Sequence, residues 1–500
     1  MPIKRKPPEV ALRSSQLRLL EDKLDKLEKR FDDLRKRYSQ SQAQCKLQQL
    51  RIEELEAQLA KAKKTSRNSS KPPSSDITKP PSPAPATTPD GKRKQGAQPG
   101  HERHTRPEFT AEQINHTQHI PLGGCPCCGG DLSELPVPPE TFHQIEVAVC
   151  PVIVTEYSRG SGWCDKCQTT VKPDWPAGLV EAGLTGPGLI ALIGYCKGGC
   201  CMSIGAIKRF CRDCLHIQLS KGYIAKLLNR ISGCLDAPYA ELEQMLPNEP
   251  LVNVDETGHK DNGKRFWTWV FRAEMFTFFR VSPSRGSQVL LEVLGEEFNG
   301  LLGCDYFSAY RKYMGLNENV RLQFCLAHLI RDVKFLVTHP TVANREYGEE
   351  LLELLRKMFS IIHRRAEYET ESGYRNALAR VRNAIVWKAS MEAPETNEAK
   401  NLAERFFQHV ESYFRFITDP EIDPTNNVAE QAFRFVAIQR RITQGTRGRA
   451  GQIWSERIWT VIATCEQQGR SAYEYLVSVV TAYFRHQPIP SLLVAETNSS

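Results

Sequence analysis

Two short apolar runs that each deliver an aspartate constrain this chain more than any other feature. LVNVDETG carries Asp255 and GLLGCDYFSAY carries Asp305, and both runs read as strands; a third acid, Glu430, opens an amphipathic helix in DPTNNVAEQAFR. Rigid elements that far apart in sequence bring their acids together only through a folded core. Carboxylates held that way give the hard oxygen ligands, and the open position for a phosphate, that a pair of Mg2+ ions requires. A single carboxylate is ordinarily a solvated surface group, so the surrounding text has to carry the reading.

That text is orderly. LVNVDET is followed by the turn dipeptide Asn262-Gly263 and then by KRFWTWVFR and EMFTFFRV, which predicts three antiparallel strands. The second is apolar on both faces through Phe266, Trp267, Trp269, Val270 and Phe271, as a central strand covered above and below should be. GLLGCDYF supplies a fourth strand, expected parallel to the first, with Asp305 beside Asp255. Two neighbouring buried acids repel unless cations neutralise them. Helical text from about 344 to 416 reads as an insertion before the helix of Glu430, and Asn426 or Asn427 is placed to cap that helix.

The motifs VDETG, CDYFSAY and NNVAEQAFR, with FCLAHLIRD between the last two, resemble the DDE transposases of bacterial insertion sequences, specifically the insertion sequence 66 family. The resemblance implies a ribonuclease-H-like core with a helical insertion that cuts and joins DNA using two Mg2+ (or Mn2+) ions. Asp255 would bridge both ions, with Asp305 and Glu430 each completing one side. It also implies, as partners, the terminal inverted repeats of an element and a target DNA, and accessory proteins from the same element. Cys325 and His328 are placed near the active site, although core packing with a polar contact is the alternative for this pair. Many such enzymes carry a basic residue seven positions after the third acid; here that position is Ala437, leaving Arg434, Arg440 and Arg441 as candidate phosphate contacts.

Five hundred residues exceed one hydrophobic core and suggest two to four folded units. Leu17, Leu24, Phe31, Tyr38, Cys45, Ile52 and Leu59 recur every seven positions, with Leu20, Leu27, Leu34 and Leu55 on the companion seam. This is a coiled-coil pattern that favours self-association, weakened at Ser41 and Gln48; a helix packed on its own protein is the alternative. A Ser-, Pro- and Thr-rich stretch then reads as a disordered linker. Two CxxC pairs, Cys125 with Cys128 and Cys164 with Cys167, supply four thiolates for a structural Zn2+ in a ribbon, against free thiols or a redox pair.

Residues 184–245 read as helical, with a break near His216 and Ser220 as the cap of a second helix, which resembles a helix-turn-helix. In that reading Ser220, Lys221 and Tyr223 face DNA; a plain helical hairpin is the alternative. The expected organisation is therefore multidomain α/β: coiled coil 1–64, linker 65–110, zinc ribbon 111–176, helical DNA-binding region 177–246, catalytic domain 247–485 with its insertion at about 340–416, and tail 486–500. A net charge of +8 permits DNA binding. No apolar stretch approaches the ~20 residues needed to cross a bilayer, and MPIKRKPPEV has no secretory h-region, so a bacterial cytoplasmic, nucleoid-associated protein is expected. The rival functions are a catalytically inactive DNA-binding regulator or decayed transposase, and a structure-selective nuclease with a related core.

Overall fold

A computed structural model describes residues 8–62 and 183–493, and between them residues 110, 111, 114, 117, 152–159, 161–166, 168–172 and 174–179. The chain divides into two compact units, residues 80–156 and the remainder. Helix α1 (Pro8–Ala62) spans the heptads, and every seam side chain described along it is exposed. Strands β1 (Gly162–Cys164) and β2 (Thr169–Val171) form an antiparallel hairpin whose first strand ends on Cys164. Cys125, Cys128 and Cys167, like residues 65–109 of the expected linker, lie outside the described residues.

Four helices follow: α2 (Pro187–Gly198), α3 (Ile204–Cys214), α4 (Lys221–Cys234) and α5 (Asp236–Met245). Both Ser203 and Ser220 cap a helix with their hydroxyls, accepting from Ala206 N and Tyr223 N at 3.1 Å each, and so satisfy amides that a helix start leaves unpaired. Between α3 and α4 the chain reverses at His216, whose φ of 57° is left-handed. Ile224, Leu227 and Ile231 are fully buried on one face of α4, while Lys221, Lys226 and Asn229 are exposed.

The sheet contains β3 (Leu251–Asp261), β4 (Lys264–Arg272), β5 (Thr277–Ser282), β6 (Leu301–Cys304) and β7 (Arg321–Phe324), in the order β5-β4-β3-β6-β7. Asn262 and Gly263 make the β3–β4 turn with φ of 49° and 79°, the left-handed pair a two-residue hairpin demands. β6 runs parallel to β3 and β7 parallel to β6, with α6 (Gln288–Leu294) and α7 (Ser308–Leu316) in the connections. β7 is a strand that the sequence reading did not separate from the text around it. Trp269, Val270 and Phe271 of β4 have no exposed surface, as a strand covered on both faces requires.

After α8 (Leu326–Val337) come three long helices, α9 (Val342–His363), α10 (Glu371–Met391) and α11 (Asn397–Phe414), the last kinked at His409. The expected single helix after Asn426 is two: α12 (Asn427–Ala432) and α13 (Arg434–Thr443), broken at Phe433. α14 (Arg449–Gln467) then covers the edge strand β5. Glu456, Thr460 and Thr464 accept hydrogen bonds from the amides of Val281, Phe279 and Thr277 at 2.9, 3.1 and 3.1 Å. Four helical residues advance about 6 Å and two strand residues about 6.8 Å, so side chains four apart meet every second amide. The edge is thereby closed to pairing with another chain. α14 and α15 (Ala472–Phe484) also pack on α2 and α4, and residues 190–246 share one apolar core with the sheet and the C-terminal helices.

Candidate active site

β3 and β6 pair in parallel with Leu251 opposite Leu301 and Asn253 opposite Gly303. Continuing that offset past the last paired residues sets Asp255 against Asp305. A Cβ at Gly303 on β6 would run into the side-chain amide of Asn253 on β3, so glycine there lets that side chain keep its place. Asp255 Oδ1 accepts from the Glu256 amide at 2.8 Å, and Asp305 Oδ1 from the Phe307 amide at 2.8 Å. Burial, followed by the charges of Glu256, Asp305 and Glu430, pushes Asp255 well above the ordinary carboxylate range. Asp305 is also raised, first by burial, while His328, the Phe307 amide and Arg285 pull the other way.

Glu430 sits in the first turn of α12 and faces α8. Its Oε1 lies 3.6 Å from His328 Nδ1, and Arg331 Nη2 donates to its Oε2 at 3.3 Å. Arg331 Nη1 also donates to His328 Nε2 at 3.1 Å, which assigns the ring proton to Nδ1, toward Glu430. Burial lowers the His328 pKa, with the Asp305 charge opposing it. Cys325, His328 and Glu430 each present a ligand atom within 4.8 Å of the others, a grouping that Asp255, Asp305 and Glu430 do not form among the described residues. Glu430 therefore leans toward α8, although its charge still reaches Asp255.

Asn426 holds these parts together. It occupies the N-cap position of α12 but its side chain makes no capping bond; Nδ2 instead donates to the Val254 carbonyl at 2.8 Å, and its amide donates to Cys325 Sγ at 3.1 Å. The Cys325 amide in turn donates to the Cys304 carbonyl at 2.8 Å. The residues preceding Asp255 and Asp305 are thus tied to the starts of α8 and α12. A capping bond is the weaker use of Asn426 here, because the Val254 carbonyl is buried and would otherwise go unpaired.

Beneath Asp255 lies a carboxylate that the sequence reading did not single out. Glu256 is buried, accepts from Tyr310 Oη at 2.5 Å and pairs with Arg285 Nη2 at 2.7 Å. Burial and the Asp305 charge raise it to about 7 despite those partners. Arg285 lies over the rings of Trp267 and Phe307, with its guanidinium carbon 4.7 and 3.9 Å from their centroids. Adjacency to Asp255 was the available signal for Glu256, and the three-residue spacing from His328 was the signal for Arg331.

The basic residues divide. Arg434, Arg441 and Arg447 are exposed. Arg440 turns inward, donating to Thr257 Oγ1 at 3.1 Å and to the Gly258 carbonyl, so it braces β3. The loop after α13 is fastened to the end of β3 by a directed chain. Thr268 Oγ1 donates to His259 Nδ1 (3.2 Å), His259 Nε2 to Thr446 Oγ1 (3.1 Å), and Thr446 Oγ1 to Asp261 Oδ1 (2.7 Å). In the helical region, Ser220 Oγ is occupied by its cap and Tyr223 Oη lies 3.1 Å from Thr185 Oγ1, which leaves Lys221 as the open side chain of the three. Cys196, Cys201 and Cys211 are buried, as small apolar side chains would be.

Fold and site together define a mixed α/β protein with a carboxylate-rich centre where two parallel strands stop pairing. A family model described as Transposase IS66 family matches residues 182–452, just over half of the chain, and the chain belongs to that family. Residues 2–107 match a second model, described as a family of unknown function (DUF6444). Two curated relatives come from Sinorhizobium fredii, both described as uncharacterized. Protein y4qI is 24% identical over 336 residues, 61% of this chain and 61% of that protein. Protein y4hP is 21% identical over 397 residues, 72% of this chain and 71% of that protein. The chain thus spans about three-fifths of the length of the first. Among the described residues, no helix is long and apolar enough to cross a membrane.

Proposed function

We propose that this chain is a transposase that cleaves and joins DNA at the terminal inverted repeats of an insertion sequence, with a ribonuclease-H-like core whose catalytic carboxylates are Asp255, Asp305 and Glu430. The observation that carries the reading is the β3–β6 offset. It sets two acids side by side at a position where each resists ionising, and a site built that way is suited to cations. The strand order, three antiparallel strands followed by two parallel ones on the far side of the first, is the order expected of such a core.

Oxygen donors of this kind fit Mg2+ or Mn2+. Two such ions supply activation of the attacking oxygen and stabilisation of the leaving one in an in-line displacement at phosphorus. The chain's own residues do the rest. Asp255, Asp305 and Glu430 are the side chains that would hold the ions. To join the other two acids Glu430 would have to part from Arg331, whose guanidinium would then be available to a phosphate. Glu256, held by Tyr310 and Arg285, fixes the backbone that presents Asp255. Arg434 and Arg441 face solvent for the DNA backbone, and Lys221 does so in the helical region.

The two CxxC spacings, Cys125 with Cys128 and Cys164 with Cys167, are the thiolate pairs that would hold a structural Zn2+. The exposed stripe of α1 is a self-association surface, and accessory proteins of the same element assist on DNA in the bacterial cytoplasm. The test is purified protein with Mg2+ and DNA bearing the element's ends. Cleavage and joining should vanish in Asp255→Ala while DNA binding persists. Binding by the unaltered protein without metal-dependent cleavage, alone and with the element's accessory proteins added, would make it a regulator instead.

A further inference from the structure

The two flanks of the α1 stripe carry different charges, and the difference fixes how two copies can pair. With Leu24, Phe31, Tyr38, Cys45, Ile52 and Leu59 on one seam and Leu20, Leu27, Leu34 and Leu55 on the other, two further rows border the contact. One row reads Glu21, Glu28, Arg35, Gln42, Gln49, Glu56, and the other Lys23, Arg30, Arg37, Gln44, Arg51, Gln58. The helix is about 80 Å long, and the leucine, isoleucine, phenylalanine and tyrosine side chains of those two seams are between 47% and 69% exposed, a surface that water disfavours, interrupted on one seam at Ser41 and Gln48.

We propose that α1 pairs with α1 of a second copy of this chain, in parallel and in register; this rests on the self-association read above and gives it a direction. In a parallel pair each row faces the other row of the partner, five residues further on. Lys23 then meets the partner's Glu28 and Arg51 meets the partner's Glu56, while Arg30 against the partner's Arg35 is the one like-charged contact. In an antiparallel pair each row faces its own copy. The row of Lys23 contains no acid, so base is set against base or glutamine in every register. The row of Glu21 opposes acid to acid, base to base, or either to glutamine when the helices overlap fully. Only the parallel arrangement satisfies the charges without shortening the apolar contact. It also places Cys45, exposed on the single helix, across the axis from the partner's Cys45. Both helices then end on the same side of the pair.

The full-length chain tests this directly. Its mass in solution gives the number of chains, and mild treatment with oxidised glutathione, which accepts the two electrons and two protons released as two thiols join, tests for Cys45. The expected result is an associated chain in which peptide mapping finds Cys45 joined to Cys45, with that product absent from Cys45→Ser. The double variant Glu28→Lys with Glu56→Lys should weaken association roughly tenfold or more at low salt, and adding Lys23→Glu with Arg51→Glu should restore it. An antiparallel pair would be strengthened by the first double variant, because the cation introduced by Glu56→Lys would then face Glu21. A chain that associates without a Cys45 disulfide, or that tightens in Glu28→Lys with Glu56→Lys, overturns the parallel pairing. A monomer at micromolar concentration overturns self-association itself. Neither outcome depends on DNA cleavage.

Discussion

Lowering the pH should loosen the unit that contains the five-stranded sheet through one residue, His259. The ring is buried between β3, β4 and the loop that leads into α14, with Nδ1 accepting from Thr268 and Nε2 donating to Thr446. That arrangement uses the neutral ring on both sides and leaves no place for a second ring proton. Burial, then the neighbouring Arg440 cation, lowers its pKa from 6.5 to about 4, with Asp261 opposing. At about 1.36 kcal/mol per pH unit, that drop corresponds to ~3 kcal/mol. The sign follows from proton counting. Between pH 6.5 and 4 the unfolded chain binds a proton at this histidine that the native chain refuses, so native stability falls as pH falls. The contribution is complete above 6.5 and gone below 4. Urea denaturation followed by tryptophan fluorescence reads it, because Trp459 lies beside the ring, with centroids 6.2 Å apart. His259→Gln should lose about 1 kcal/mol at pH 7.5 through a poorer hydrogen-bond chain. Between pH 7.5 and 4, however, the unaltered protein should lose ~3 kcal/mol more than the variant. Parallel stability curves for the two proteins would refute the argument, since other carboxylates titrate equally in both.

Removing both hydroxyls that satisfy the edge of β5, in Thr460→Val with Thr464→Val, keeps the shape of α14 but strands the Phe279 and Thr277 amides; a loss of about 1–3 kcal/mol per amide is expected by urea denaturation. Gly445→Ala combines a φ of 97° with a Cβ driven into the Lys260 carbonyl, and should cost several kcal/mol or release the loop, read as faster hydrogen exchange at Asn262 and Thr446. Asn426→Ala leaves the Val254 carbonyl unpaired beside Asp255; it should lower stability by about 1–3 kcal/mol and raise the Mg2+ concentration needed for cleavage while DNA binding is unchanged. Ser220→Ala should cost about 1 kcal/mol by losing the cap of α4, measured as a lower melting temperature.

Much of the sheet was legible because its signals are local. Alternation and continuous apolar runs give β3 to β5, Asn262-Gly263 gives their first turn, and the apolar run before Asp305 gives β6. β7 was hidden because RLQF is four residues long and runs directly into helical text, too short for a period to register. The break at Phe433 was hidden for a related reason: Val428 to Ile442 keeps helical spacing through a local kink.

The sequence by itself determined which elements carry the three acids, the seven-residue repeat of α1 and its flanking charges, and the hydroxyl cap at Ser220. These depend on periods of about 2, 3.5 and 3.6 residues and on single-residue conformational preference, which need no partner. Only the tertiary structure decided that Glu430 leans on His328 and Arg331, that Asn426 binds the Val254 carbonyl instead of capping, that Arg440 is spent on β3, and that α14 seals β5. Each of those is a contact between segments roughly a hundred or more residues apart, settled by which buried polar group would otherwise lack a partner, and no local pattern records that.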